Sequence, residues 1–153
     1  RLPGARQLIA VDTNILVYAH RSDAPNHGTA KAAIEELGEG REPWTVPWPC
    51  VHEFLAIVTH PRVWTAPTPM SVALDAVRGW FESTDFEPIG EGAQHLEVLE
   101  RLLTTGGAVG PKVHDGRIAA ICSAHGVRVL WSADRDFGRF SSPTVVNPLV
   151  RAD

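Results

Sequence analysis

Two short apolar runs, Leu8-Ile9-Ala10-Val11 and Val127-Arg128-Val129-Leu130-Trp131, stand near opposite ends of the 153-residue chain and finish alike. The first runs into Asp12-Thr13-Asn14, the second into Ser132-Ala133-Asp134-Arg135-Asp136-Phe137. Runs of this length and composition predict buried strands with polar residues at their carboxyl ends. The sequence between them is mostly helical in pattern. Strands joined by helices pair in parallel, because each connection must cross back over the sheet. The expected fold is therefore α/β: a three-layer α/β/α sandwich with a mainly parallel central sheet. In open sheets of this class, sites form beyond the carboxyl ends of the strands.

The intervening segments fill in the layers. Asp12 or Asn14 could cap a helix through Ile15-Leu16-Val17-Tyr18, and Arg21 to His27 reads as a loop. Thr29 to Leu37 is an amphipathic helix with Ala30, Ala33, Ile34 and Leu37 on one side, closed by Gly38 and Gly40. Trp44-Thr45-Val46 is a short strand. A largely apolar helix follows from about Cys50 to Thr59, with Glu53 in its first turn and Pro61 beyond its end. Thr68-Pro69 reads as an N-cap and first helical proline, ahead of a stripe formed by Ala73, Val77, Trp80 and Phe81. Phe86-Glu87-Pro88-Ile89 is a short extended segment. Gly92 to Thr105 is a helix with Leu96, Leu99 and Leu103 on one face. The buried helix beginning around Val113-His114-Asp115-Gly116 runs through Ile118, Ala119, Ile121 and Cys122 to Gly126, and Thr144-Val145-Val146 is a last strand. No linker divides the chain, so residues 1–153 are expected to form one domain. The helices from Thr29 to Thr59 and from Thr68 to Trp80 offer apolar faces to a second subunit.

The 14 basic and 18 acidic residues leave a net charge of −4, which excludes a generally basic nucleic-acid binder but not a nuclease with an acidic site. Two cysteines, Cys50 and Cys122, do not make a disulfide framework, and a reducing compartment is the default. No apolar run approaches the length of a membrane span, and the N-terminal residues lack the long apolar core of a secretory signal. A cytoplasmic protein is expected.

Asp12, Glu53, Asp115 and Asp134 lie far apart in sequence, two at strand ends and two in helix first turns. Each has a local alternative as a cap or helix-dipole partner, and Asp136 could be an exposed turn acid. In a parallel sheet, strand carboxyl ends and the starts of the following helices share one edge, so all these acids can gather there. Clustered carboxylates repel and raise one another's pKa values. A hard divalent cation such as Mg²⁺ removes that conflict and commonly bridges to phosphate. Metal at such a site polarises a phosphoryl oxygen and activates water, which points to phosphodiester hydrolysis.

In order and spacing, Asp12-Thr13-Asn14, Glu53 within its apolar helix, His114-Asp115-Gly116-Arg117-Ile118-Ala119-Ala120 and Ser132-Ala133-Asp134-Arg135-Asp136-Phe137 resemble the motifs of the PIN-domain ribonucleases. The likeness is to the VapC toxins of bacterial toxin–antitoxin pairs and runs from about Leu8 to Leu149. It implies a Mg²⁺- or Mn²⁺-dependent endoribonuclease, often a homodimer, held inactive by a cognate VapB-type antitoxin whose C-terminal segment lies across the acidic pocket. On that resemblance Asp12 and Asp115 are the principal metal ligands. Glu53 completes the first site or positions water, and Asp134 serves a second metal or a water-bridged contact, with Asp136 the least secure ligand. Thr13, Asn14 and Ser132 orient the acids through hydrogen bonds. Two departures stand out: Gly116 where alanine is frequent, and Asp134 where asparagine is frequent. Lys112, His114, Arg117, Arg135 and Arg139 flank the acids and could hold phosphates, or could equally be solvated surface charges. An exposed tryptophan such as Trp48 or Trp64 could stack on an RNA base.

Two other classes compete. A haloacid-dehalogenase-like phosphatase also places an aspartate after its first strand, but it wants a second aspartate where this chain has Asn14, and a lysine before its last acidic motif. A non-catalytic module with an acidic Mg²⁺ pocket, or a PIN fold that binds RNA or antitoxin without cutting, is the third reading.

Overall fold

A computed structural model of the chain describes residues 7–150. The elements follow in the order β1 (Ile9–Val11), α1 (Thr13–His20), α2 (His27–Glu39), β2 (Trp44–Thr45), α3 (Trp48–Val58), α4 (Met70–Phe81), α5 (His95–Gly106), α6 (Lys112–Ala124), β3 (Val129–Trp131), a 3₁₀ turn (Arg135–Arg139) and β4 (Thr144–Val146). The four strands form one parallel sheet in the order β2-β1-β3-β4. The helices fall into two groups: α1 packs on α2 and α3, and α3 on α4, while α5 packs on α6. The connection from β1 to β2 supplies α1 and α2, and the longer connection from β2 back across β1 to β3 supplies α3 and α4 to the first group and α5 and α6 to the second. The result is the expected three-layer sandwich.

Because β1 is central and both faces are covered, its sequence is continuously apolar rather than alternating; Ala10, Val11 and Leu130 are fully buried. The segment after α4 lies alongside β2 through parallel bridges from Trp44 to Phe86 and from Pro47 to Ile89. Here Trp44, Phe54, Trp80 and Phe86 form a chain of ring contacts with centroids 4.4–6.3 Å apart. Each large apolar side chain buried in such a core contributes about 1.5–3 kcal/mol. Among the described residues, no helix is long and apolar enough to cross a membrane.

Several local expectations shift. Thr68 does not cap α4, which begins at Met70. Its hydroxyl accepts instead from Arg21 Nη1 at 3.1 Å and lies 3.1 Å from His20 Nε2, so a long-range contact has outbid the local cap. Gly38 stays inside α2, which ends only at Gly40. On α5 the buried residue is Leu102, whereas Leu96 is 76% exposed. Helix α3 starts two residues earlier than expected, with Pro49 in its first turn where no N–H is needed. Glu53 consequently sits in the second turn, and the dipole-partner alternative no longer describes it. Gly116 is required by packing: a Cβ there would overlap Leu103 Cδ2 where α6 crosses α5.

Two features of the sheet set up the site. After β1 the chain leaves toward β2, and it returns on the other side of β1 to form β3. The carboxyl ends of β1 and β3, where the connections diverge, are where open sheets of this class place their sites. The two strand ends are held together there, since the Asp12 amide donates to the Trp131 carbonyl at 2.9 Å.

Candidate active site

Asp12 occupies the N-cap position of α1, yet its side chain makes no capping hydrogen bond. The carboxylate is buried. Ser132 Oγ donates to its Oδ2 at 2.8 Å, and Cys50 Sγ lies 3.6 Å from its Oδ1. Burial pushes the Asp12 carboxyl up from its ordinary 3.8 to about 6, against the downward pull of the Ser132, Thr13 amide and Cys50 hydrogen bonds; the Glu53 charge adds to the push. A carboxylate kept where its charge is poorly solvated calls for a cation.

Ser132 ties this acid to the second strand end. Its hydroxyl also accepts from the Asp134 amide at 3.0 Å, and Asp134 Oδ1 in turn accepts from the Asp136 amide at 2.9 Å, capping the 3₁₀ turn. Asn14 Oδ1 accepts from the Ala133 amide at 3.3 Å, a second stitch between the β1 and β3 ends. Thr13 Oγ1 donates to Glu53 Oε2 at 3.2 Å and so draws α3 toward the same edge.

Beside this network, one carboxylate oxygen from each of Asp115, Asp134 and Asp136 lies within 4.8 Å of the others. Asp115 stands in the first turn of α6, where the helix amides favour negative charge. Even so its pKa is raised, first by partial burial and then by the Asp134 charge; Lys112 works the other way, while Asp136 and Glu53 add to the rise. Lys112 Nζ makes an ion pair with Asp136 Oδ2 and holds that carboxyl below its ordinary value.

The structure thus brings all five acids to one edge, in two sets. Asp115, Asp134 and Asp136 form the tight trio. Asp12 and Glu53 adjoin it, and the Glu53 charge is felt by both Asp12 and Asp115. Of the expected principal pair, Asp115 lies in the tight trio and Asp12 beside it, and Asp136, which sequence could not tell from a turn acid, stands among the clustered carboxylates. Of the flanking cations, Lys112 is paired with Asp136 and Arg117 with Glu91 at 2.6 Å. His114, Arg135 and Arg139 are exposed. The Cys50 thiol beside Asp12 escaped sequence reasoning. Its burial and its place near the start of α3 were the only signals, and burial, then the Asp12 charge, pushes its pKa well up.

These strand-end acids, in this topology, coincide with a match of the PIN-domain family model to residues 9–142. The chain belongs to the PIN-domain family. That membership displaces the phosphatase reading, whose second aspartate is here Asn14. Among curated PIN-domain relatives of Mycobacterium tuberculosis, the proteins named Ribonuclease VapC31 and Ribonuclease VapC25 are each 33% identical to this chain. The matches cover 92% and 94% of this chain and 99% and 100% of theirs. The crystal structure of VapBC2 from Rickettsia felis, bound to a DNA fragment from their promoter, has the same fold, with a TM-score of 0.66 at 17% identity over 92% of this chain and 98% of that one.

Proposed function

We propose that this PIN-domain protein is a divalent-metal-dependent endoribonuclease, the toxin of a VapBC-type pair, which hydrolyses RNA phosphodiester bonds in the cytoplasm and thereby stops translation and growth. The observation that carries the reading is the convergence of Asp115, Asp134 and Asp136 oxygens within 4.8 Å of one another at the carboxyl edge of the sheet. The donor set fits Mg²⁺ or Mn²⁺: carboxylate oxygens, with the histidine and cysteine ligands of a zinc site lacking from the group. The raised pKa values of Asp12 and Asp115 fit as well, since each marks negative charge that a cation would relieve. Support for the ribonuclease class comes from the VapC relatives, and for an antitoxin partner from the VapBC assembly of the Rickettsia felis structure.

Asp115, Asp134 and Asp136 would hold the ion, and Asp12 and Glu53 complete the acidic wall. A divalent ion bound there supplies charge to a phosphoryl oxygen and lowers the pKa of an attacking water. Ser132 fixes Asp12 and the Asp134 backbone together, so the two strand ends present their oxygens in one arrangement. Thr13 and Asn14 hold Glu53 and the Ala133 amide in the same frame. Exposed His114, Arg135 and Arg139 offer positive or donor groups to phosphates, and Trp48, 40% exposed at the start of α3, offers a face to an unpaired base. Half-exposed Met70 and Val72 at the start of α4 suit a homodimer contact.

The test incubates the purified chain with structured RNAs in Mg²⁺, in Mn²⁺ and in EDTA, alongside Asp115→Asn. Cutting that needs the metal and vanishes in the variant is expected, as is growth arrest on induction that co-expressed antitoxin relieves. Cutting that survives Asp115→Asn would overturn the assignment. Metal binding with no RNA cleavage would favour the non-catalytic module.

A further inference from the structure

Lys112 is the first residue of α6, and its ammonium, still solvent-accessible, is paired with Asp136. The placement is costly on general grounds. A cation in the first turn opposes the helix dipole, and a long flexible side chain loses rotamer freedom when held. The three clustered carboxylates compensate. Asp136, through its hydrogen bond, and then the Asp115 and Asp134 charges favour the charged ammonium. Arg117, by contrast, is committed to Glu91, outside the trio.

We infer that Lys112 is a tethered counter-ion of the metal site: it competes with a divalent ion for Asp136 and, once displaced, is free to engage the phosphate of the RNA. This rests on the metal-dependent nuclease reading above. The competition follows from the geometry. Asp136 Oδ2 is the oxygen the ammonium occupies, and Asp136 is a member of the trio, so an ion drawing on all three carboxylates meets a like charge already in contact with one of them. Either the ammonium moves or the ion binds more weakly. The four-carbon stem lets it move, and the lysine ammonium is a compact point charge suited to a phosphate. Metal loading and substrate affinity are then coupled through one side chain, and the coupling is reciprocal. The pair also supplies the cluster with a portion of its own neutralisation.

The experiment measures Mn²⁺ binding to the purified full chain by electron paramagnetic resonance and by calorimetry, for the wild type, Lys112→Met and Lys112→Arg. Lys112→Met keeps the aliphatic stem and removes the charge; Lys112→Arg keeps the charge. The side chain is 37% exposed, so both variants are expected to melt near the wild-type temperature. Lys112→Met should bind Mn²⁺ at least fivefold more tightly, and Lys112→Arg should stay within twofold of the wild type. At saturating Mn²⁺, Lys112→Met should raise the KM for RNA at least fivefold, with a salt dependence of RNA affinity shallower by about one phosphate contact. A Lys112→Met affinity for Mn²⁺ within fivefold of wild type, equal tightening in Lys112→Arg, or an unchanged KM overturns the inference while leaving the nuclease reading intact. Failure of every form to bind Mn²⁺ would bring down the metal reading and this inference with it.

Discussion

Replacing Asp12 by asparagine exposes the electrostatic cost of the site as a pH-dependent stability. The Asp12 carboxyl is buried and its pKa rises from an ordinary 3.8 to about 6 on folding. At about 1.4 kcal/mol per tenfold change in proton affinity, that difference corresponds to ~3 kcal/mol. The sign follows from linkage. An acid whose folded pKa lies above its unfolded one favours the folded state while both states are protonated, below about pH 4. That advantage is lost as the pH rises to about 6 and stays lost above it. Neutral asparagine cannot lose it. In metal-free buffer with EDTA, the stability of Asp12→Asn minus that of the wild type should therefore climb by ~2.4 kcal/mol between pH 4 and pH 7, the rest of the difference falling below pH 4.

The fixed part of the comparison does not disturb this. Asparagine can still accept from Ser132, and any mismatch with Cys50 costs roughly 1 kcal/mol at every pH, so it offsets the whole curve without changing its climb. Urea unfolding followed by far-ultraviolet circular dichroism at half-unit pH steps reads the difference. Asp115, whose pKa is also raised, and Asp136, whose pKa is lowered, contribute to both proteins and cancel. A flat difference between pH 4 and pH 7, or one that falls, would refute the claim that Asp12 carries an unrelieved buried charge. Millimolar Mg²⁺ at pH 7 should then stabilise the wild type more than Asp12→Asn, because only the wild type has that charge to satisfy.

Three further outcomes are expected. Ser132→Ala removes the donor to Asp12 and the acceptor of the Asp134 amide; calorimetry should show Mg²⁺ or Mn²⁺ affinity reduced about 10–100-fold and unfolding easier by about 1–3 kcal/mol. Gly116→Ala should destabilise by about 1–3 kcal/mol, because the overlap with Leu103 outweighs a helix-propensity gain of at most ~1 kcal/mol; in a Leu103→Ala background the same substitution should become neutral or stabilising, as a denaturant double-mutant cycle would show. Trp48→Ala should weaken binding of single-stranded RNA by about 1–3 kcal/mol, with little effect on a blunt duplex, in fluorescence-anisotropy titrations.

What the sequence made legible is what depends on period and on chain order. Buried parallel strands have no solvated face, so β1 and β3 read as unbroken apolar runs, and acids placed directly after them had to fall on the carboxyl edge of the sheet. Asp115 was readable for a related reason: a helix that follows a crossover starts at that same edge. The illegible parts are side-chain partnerships between segments that only topology brings together. Thr68 before a proline looks like a cap, and nothing nearby in sequence reveals that Arg21 will take its hydroxyl. Leu96, Leu99 and Leu103 make an acceptable helical stripe, but the fully buried residue of α5 is Leu102 and Leu96 is exposed, while Leu99 and Leu103 pack half-buried against the core and Leu103 meets Gly116 of α6.

The site divides in the same way. That acids would meet could be inferred from element order alone; which of them would be nearest could not. Asp136 joins the trio because Asp134 caps a 3₁₀ turn and so fixes the backbone two residues on, a conformation that a short Ser-Ala-Asp-Arg-Asp run does not announce. Asp12 is held beside the trio by Ser132 and Cys50, which bind its side chain, and Cys50 comes from the first turn of α3. The first turn of α3, a helix that packs against α1, thus contacts a carboxylate nearly forty positions away. A substitution that shifted the start of α3, such as Pro49→Gly, would act on the acidic edge without touching an acid. Loosening that first turn should move Cys50 away from Asp12 and free Glu53 from Thr13. It should lower metal affinity in calorimetry while leaving the Asp115–Asp134–Asp136 geometry, and hence residual binding, in place; metal affinity unchanged from wild type would show that Asp12 and Glu53 do not share in holding the ion.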